Sequence, residues 1–306
     1  MPNDNATAEP HFSAPIVRFA PSPNGLLHIG HARSAMLNWR FAKAHGGTFL
    51  LRIEDIDTTR ARPEFEAAIM EDLEWLGISW PKPVRRQSEH FAEYEAALSE
   101  LRKLGLLYPA FLSRAEIAAR VADVESSGRT WPRDPDGAPH YPGNDRTLSG
   151  AERDRKIASG APHAWRLDMR AALGGLDADL SWTEFGSGPA GETGRIKADP
   201  GAWGDVILAR RDVPASYHLS VTVDDAIQAI TDVIRGEDLF AATSVHRLLQ
   251  QLLGLPAPLY HHHGLVRDTA GRKLSKSDGA TSIASLRQQG ATQGEIVALA
   301  GLPPSG

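Results

Sequence analysis

The run Ile16-Val17-Arg18-Phe19, apolar but for its arginine, reads as a short buried strand, and Pro21 to Gly25 reads as a tight loop. From Ile29 onward the pattern turns helical, with Ala32, Leu37 and Phe41 among residues that favour helix. Thr48 to Ile53 predicts a second strand, apolar at its centre as parallel core strands are. Pro63 suits the first turn of a helix whose buried stripe is Phe65, Ile69, Leu73 and Leu76. A further helix carries Phe91, Tyr94, Leu98 and Leu101. Strand, helix, strand, helix is α/β patterning.

The regularity breaks between about Tyr108 and Arg195. Residues 129–146 are rich in proline, glycine and charge, and 181–194 in glycine, which reads as an inserted subdomain with long loops. Apolar runs return at Val206-Ile207-Leu208, Leu219-Ser220-Val221 and Thr231 to Ile234, consistent with the second half of a sheet. Asp224-Asp225 reads as a turn between strands with a surface role, a structural contact to the site being the alternative. Ser244 to Leu253 has the stripe of a helix, and Thr292 with Glu295 forms a capping-box pair opening a short helix that stops at Gly301. There is no internal repeat.

At 306 residues the chain has room for a substantial core, and 42% hydrophobic with 23% charged content is ordinary for a soluble protein. No stretch approaches a membrane span, and the polar segment 1–14 lacks a signal-peptide pattern, so the cytoplasm is the expected compartment and no membrane partner is expected. A net charge of −5 offers no global pull on nucleic acid, which local basic patches would have to hold. The absence of cysteine excludes disulfides and thiolate metal sites.

The candidate chemistry begins where the first strand hands over to the first helix. His28-Ile29-Gly30-His31 places two imidazoles at the position where open parallel sheets hold nucleotide phosphates. The second strand delivers Glu54-Asp55-Ile56-Asp57 to the same edge. Far downstream, Lys273-Leu274-Ser275-Lys276-Ser277 lies between Gly271 and Gly279, in a stretch suited to close over a triphosphate. Imidazole N–H groups and ammoniums held there stabilise charge developing on a phosphoryl group more than they stabilise the ground state. His261-His262-His263 does not suggest a metal site, because consecutive strand residues point to opposite faces.

Paired in this order, His28 to His31 and the lysine segment resemble the HIGH and KMSKS elements of class I aminoacyl-tRNA synthetases. Arg18-Phe19-Ala20-Pro21-Ser22-Pro23, Arg52-Ile53-Glu54-Asp55 and Val233-Ile234-Arg235-Gly236-Glu237-Asp238 resemble the glutamate-specific branch. The likeness covers roughly residues 15 to 290. It implies a Rossmann-like parallel sheet, interrupted by the insertion and followed by a short helical extension. It also implies ATP, accompanied by Mg2+, as the activating substrate, with Ser22, His28, Gly30, His31, Lys273, Ser275 and Lys276 at the nucleotide. His28, His31 and Lys276 are the expected catalytic groups. Arg18, Phe19, Ala20, Pro21, Ser22, Glu54, Tyr217 and Arg235 are the expected glutamate site, with Arg18 and Arg235 on the substrate carboxylates and Glu54 on its ammonium. Bidentate carboxylate recognition suits guanidinium chemistry.

Only 29 residues follow Ser277, whereas long members of the branch continue into an anticodon-reading domain. In length, and at Asn24, Ile56 and Leu239, the chain resembles the short paralogues, the glutamyl-queuosine tRNA(Asp) synthetases. The resemblance therefore implies L-glutamate, ATP and queuosine-bearing tRNA(Asp) as partners of a monomeric enzyme. In many short paralogues the stretches matching Tyr108-Pro109-Ala110-Phe111-Leu112 and Tyr141-Pro142-Gly143-Asn144-Asp145 carry zinc-binding cysteines. Alanine and leucine cannot ligate, so no structural zinc is expected, and no residue of the chain is assigned to a metal.

The expected division is a flexible tail (1–14), a first catalytic half (15–107), the insertion (108–195), a second half (196–255), and the lysine segment with its helical extension (256–306). No anticodon-binding domain is expected. Three other readings remain open: a fragment of an ordinary glutamyl-tRNA synthetase charging a 3′ end, a non-catalytic tRNA-binding paralogue, and a small-molecule nucleotidyltransferase.

Overall fold

A computed structural model describes residues 14–176, 179–266 and 281–304 of the chain. Its elements run β1 (Ile16–Phe19), α1 (Ile29–Ala44), β2 (Thr48–Ile53), α2 (Pro63–Trp75), β3 (Arg85–Arg86), α3 (Phe91–Lys103), β4 (Leu107–Ala110), α4 (Arg114–Ser126), α5 (Gly150–Ala158), β5 (Ala164–Leu167), α6 (Met169–Gly174), β6 (Ser181–Glu184), β7 (Gly194–Lys197), β8 (Ile207–Arg210), α7 (Tyr217–Ile227), β9 (Asp232–Gly236), α8 (Thr243–Leu253), β10 (Leu259–His263), α9 (Ile283–Gln288) and α10 (Gln293–Leu299).

Parallel pairing joins β3 to β2 and β2 to β1, while β9 pairs in parallel with β10 and β10 with β6. The two groups meet at the start of β1 and β9, where Thr231 N donates to Ile16 O at 3.0 Å and Ile16 N to Thr231 Oγ1 at 2.9 Å. Farther along, Ile234 O accepts from the buried Asn38 amide of α1 at 3.0 Å, in place of a β1 partner. The chain leaves β1 in both lateral directions, so a crevice opens beyond its carboxyl end, where such sheets bind ligands.

Alternation sorts the strand residues between two cores. Val17, Phe19, Phe49, Leu51 and Ile53 pack with α1, α2, α9 and α10, while Ile16 and Leu50 face the core built with α3, α7 and α8. In-register pairing of Arg18 with Leu50 places Arg18 and Arg52 on that second face, toward α7.

Three expectations require correction. Val206-Ile207-Leu208 does not extend the central sheet, because β8 pairs antiparallel with β5, which pairs with β4 in a separate sheet. Leu219-Ser220-Val221 is no strand. It lies in α7, where Leu219 and Val223, four apart, are buried on one stripe. The glycine-rich stretch 181–194 includes β6 and the start of β7, antiparallel partners that extend the sheet from β10. The α1 helix, the proline-led α2, the α3 stripe, α8 and the Thr292–Glu295 capping box form as the pattern predicts. No helix among the described residues is long and apolar enough to cross a membrane.

Candidate active site

His28 is the N-cap of α1, with Nδ1 accepting the Gly30 N–H at 3.1 Å, while His31 Nδ1 accepts the His28 N–H at 3.1 Å. The rings stack with centroids 3.8 Å apart. With Nδ1 accepting in each, the neutral ring carries its proton on Nε2. A Cβ on Gly30 would stand 2.9 Å from His28 Cε1, so this lie of the imidazole over the first turn requires glycine. The capping is itself informative: imidazoles take over the role that Ser or Asp usually plays at a helix start.

Lys273, Ser275 and Lys276 lie outside the described residues. Their flanks do not. Leu265 and Val266 line the cleft in front of the His28 turn. On the far side, Ser282 forms a β-bridge with His28, and Ile283 N donates to Leu27 O at 2.8 Å. Arg287 then ties α9 to α2 through Asp72 and Glu71 at 2.8 and 2.6 Å.

Arg18, Phe19, Ala20, Pro21, Ser22, His28, Gly30, His31, Glu54, Tyr217 and Arg235 all line one cleft of about 440 Å³. The structure thus brings together every candidate that falls within its described residues. A second hollow of about 300 Å³ meets the cleft at Ser22, Asn24, Glu54 and Tyr217, and is walled by Ile56, Val213 and Ala215.

The two arginines differ. Arg18 gives Nε and Nη2 to Asp225 at 3.0 and 3.2 Å, so its charge is already matched. Arg52, fully buried, donates to Asp225 at 2.8 Å, to Gln228 at 3.0 Å and to Glu54 at 3.3 Å. Asp224 gathers Arg85, Gln87 and Tyr94. Asp224-Asp225 is therefore not a surface turn: both carboxylates are buried in α7 as counter-ions to strand arginines. Burial works against the Asp225 anion, but Arg18 and Arg52 outweigh it and hold its pKa below the ordinary value. Glu54 is pushed up to about 7, because burial outweighs Arg52 and Arg18, and Asp225 and Asp224 add to the rise.

Arg235 has no carboxylate within hydrogen-bond reach among the described residues. Its Nη2 donates to Thr243 Oγ1 at 2.7 Å and Leu239 O at 3.2 Å, its Nε to His262 Nε2 at 3.1 Å, and its Nη1 meets His246 Nδ1 at 3.2 Å. Tyr217, at the first turn of α7 behind the cap Ser216, completes this side of the cleft, and burial raises its phenol pKa.

In the insertion, Tyr141 Oη donates to Asp145, which accepts Phe111 N at 2.8 Å, while Leu112 N donates to Tyr141 Oη at 3.2 Å. Tyr108 Oη donates to Asp205 at 2.5 Å. The Phe111 and Leu112 amides, bonded to the Tyr141–Asp145 pair, thus tie together the two stretches 108–112 and 141–145. No group of three or more His, Asp or Glu suited to a metal occurs among the described residues.

Sequence reasoning did not single out Arg52 and Asp225 as a pair, or Glu184, His246 and His262 around Arg235. A signal for the first existed: arginines in apolar strands need buried acids, and Leu219 with Val223 marks a helix running into Asp224-Asp225. His246, an isolated histidine, carried none; His262 sits in the His261–His263 run, whose alternation put it on the face opposite its neighbours without naming Arg235 as its partner.

Comparison with known proteins agrees with this architecture. The family described as "tRNA synthetases class I (E and Q), catalytic domain" matches residues 16–302. The glutamyl-Q tRNA(Asp) synthetase of Rhodobacter capsulatus is 46% identical over 291 residues, covering 94% of this chain and 100% of that protein. Glutamate–tRNA ligase 2 of a Methylobacterium species is 40% identical, covering 95% of this chain and 61% of the ligase. The crystal structure of glutamate–tRNA synthetase from Elizabethkingia anophelis superposes with a TM-score of 0.77 at 29% identity, covering 94% of this chain and 61% of that one. The chain thus spans the whole of one relative and about three fifths of the other two. With the His28 turn, the cleft at the carboxyl end of a parallel sheet and a family match over nearly its entire length, this chain belongs to the glutamate- and glutamine-specific class I tRNA synthetases.

Proposed function

We propose that this chain activates L-glutamate with ATP as glutamyl-adenylate and transfers the glutamyl group to the queuosine base of tRNA(Asp). The observation that carries the amino-acid half is Arg235, a buried guanidinium lining the cleft whose direct partners are all uncharged. A substrate carboxylate supplies the missing anion by way of Nη1, since Nε and Nη2 are engaged by protein acceptors. Glu54 stands across the same cleft for the ammonium, and Arg18 contributes hydrogen bonding from a charge already matched by Asp225.

The substrate α-carboxylate attacks the α-phosphorus of ATP, one P–O bond forms, and the bond to the departing pyrophosphate breaks. His28 and His31, at the positive end of α1, would stabilise the charge that develops on the phosphoryl oxygens. Lys276, with Lys273 and Ser275, is assigned to the same phosphates. The anchoring of Ser282 on His28 and the placing of Val266 at the cleft support that assignment from both ends of the segment. Magnesium, when bound with ATP, supplies further charge neutralisation. No cluster of three protein ligands waits for it among the described residues, so the phosphates would carry it.

The acceptor half is supported by the identity to the Rhodobacter protein over its full length. An RNA loop lets a protein splay out and read a single base. The test is labelled glutamate offered to tRNA(Asp) with and without queuosine and to tRNA(Glu). Label on queuosine-bearing tRNA(Asp) alone is expected. Label on tRNA(Glu), or on tRNA(Asp) lacking queuosine, would return the chain to ordinary 3′-end charging.

A further inference from the structure

The surroundings of Arg235 extend that reading, and the inference rests on it. Each N–H of the guanidinium that meets an imidazole requires a lone pair there, so the ring nitrogen facing it carries no proton. His262 receives Arg235 on Nε2 and is thereby the Nδ1–H tautomer, whose proton goes to Glu184 Oε2 at 2.6 Å. His246 faces Arg235 with Nδ1 and is the Nε2–H tautomer, donating to His218 Nδ1 at 3.1 Å. His218 in turn keeps its proton on Nε2. One proton arrangement satisfies the whole chain.

The surroundings oppose any added proton. Burial first, and Arg235 beside it, hold His218 at about 4 and His246 well below the ordinary range. For His262 the same burial outweighs the Glu184 hydrogen bond and leaves it at about 4. Charged or titratable groups facing this cluster from neighbouring elements are Arg18, Tyr217, Tyr260, Glu184 and His263. Glu184, the carboxylate of the cluster, is one full imidazole away from the guanidinium, and the backbone N–H groups of Gly186 and His262 also hold it.

We propose that this chain keeps the charge of Arg235 in reserve for its substrate by enclosing the guanidinium in neutral acceptors, with His246 and His262 as positioning residues and Glu184 fixing the tautomer of His262. The contrast with Arg18 is the point. Arg18 has a carboxylate in direct contact, one it shares with Arg52, whereas Arg235 is oriented by four uncharged partners and touches none. Of the two, Arg235 then carries discrimination between an acid and its amide.

The test exploits a pair of substitutions of one shape. In His246→Asn and His246→Asp an oxygen takes the place of Nδ1, and both lose the bond to His218, so only the charge beside Arg235 differs. In ATP–pyrophosphate exchange by the full chain, the Asp variant should show a glutamate KM at least about tenfold above that of the Asn variant, with the two ATP KM values alike. Equal glutamate KM values would overturn the proposal. Two-bond proton–nitrogen NMR of the unsubstituted protein near pH 6 gives a readout that needs neither variant nor activity. His262 should appear as the Nδ1–H form and His246 as the Nε2–H form, and an imidazolium at either position would overturn the proposal. Absence of glutamate exchange by the unsubstituted protein would instead remove the functional reading, leaving the tautomers to decide the cage.

Discussion

Arg18 on β1 and Asp225 on α7 are joined by a two-point ion pair, Nε and Nη2 against Oδ1 and Oδ2, at 3.0 and 3.2 Å. The same Asp225 Oδ1 receives Arg52 of β2 at 2.8 Å. One carboxylate thus fastens both strands to the helix that presents Tyr217.

Loss of that carboxylate is expected to cost about 3–5 kcal/mol, because two buried guanidiniums lose their shared partner. Denaturant unfolding of Asp225→Ala measures it. The Asp225 pKa lies below its unfolded value, so its stabilisation is present above about pH 4 and is lost as the pH falls through the folded value. An unfolding free energy within about 0.5 kcal/mol of the parent, the size of a surface effect, would contradict this role.

Glu54 has the opposite sign. Its folded pKa of about 7 lies above the unfolded value, so its contribution to stability is full below about pH 4.5 and is lost as the pH rises toward 7. Substrate ammonium needs the carboxylate form, so the glutamate KM should rise as the pH is lowered below about 7. Glu54→Gln should remove this pH dependence, raise the glutamate KM at least about tenfold, and leave the folded protein no less stable at pH 8. A pH-independent KM in the parent would exclude Glu54 as the ammonium partner.

Alanine at His28, His31 or Lys276 should slow pyrophosphate exchange by about 10²–10³ while changing ATP affinity far less, as for groups that act where charge develops. Exchange rates and ATP binding are measured separately. Wild-type rates in all three variants would dissolve the assignment.

Glutamine should be activated with a kcat/KM at least about 100-fold below that for glutamate, since an amide leaves the Arg235 charge unanswered. Exchange assays with each amino acid decide, and near-equal values would remove Arg235 from side-chain selection.

Purified protein should carry no stoichiometric zinc. Tyr141 and Asp145 bond to each other and to the Phe111 and Leu112 amides, which occupies the donors that the stretch offers. Elemental analysis after a chelator wash checks this; one retained zinc per chain would refute it.

The α/β pattern, the strand of Arg18, the His28 turn, the proline-led α2 and the capping box of α10 were all legible along the chain. Each rests on neighbours within a few residues: a periodicity of two or 3.6, a cap, or a motif whose spacing is local. Family likeness added residues from distant segments, and the cleft gathers those that are described. What the chain did not disclose is pairing. Asp224-Asp225 looked like a turn because acidic doublets usually face water, and only the packing of α7 over β1 and β2 shows them buried against Arg18 and Arg52. Val206 to Leu208 looked like central sheet because apolar runs do not reveal their partner strand. His246 and His262 meet Arg235 from α8 and β10, and their tautomers follow from which nitrogen faces the guanidinium. Local periodicity specifies elements; burial of charge is a long-range bargain, decided only when helices and strands far apart in sequence close around the same few atoms.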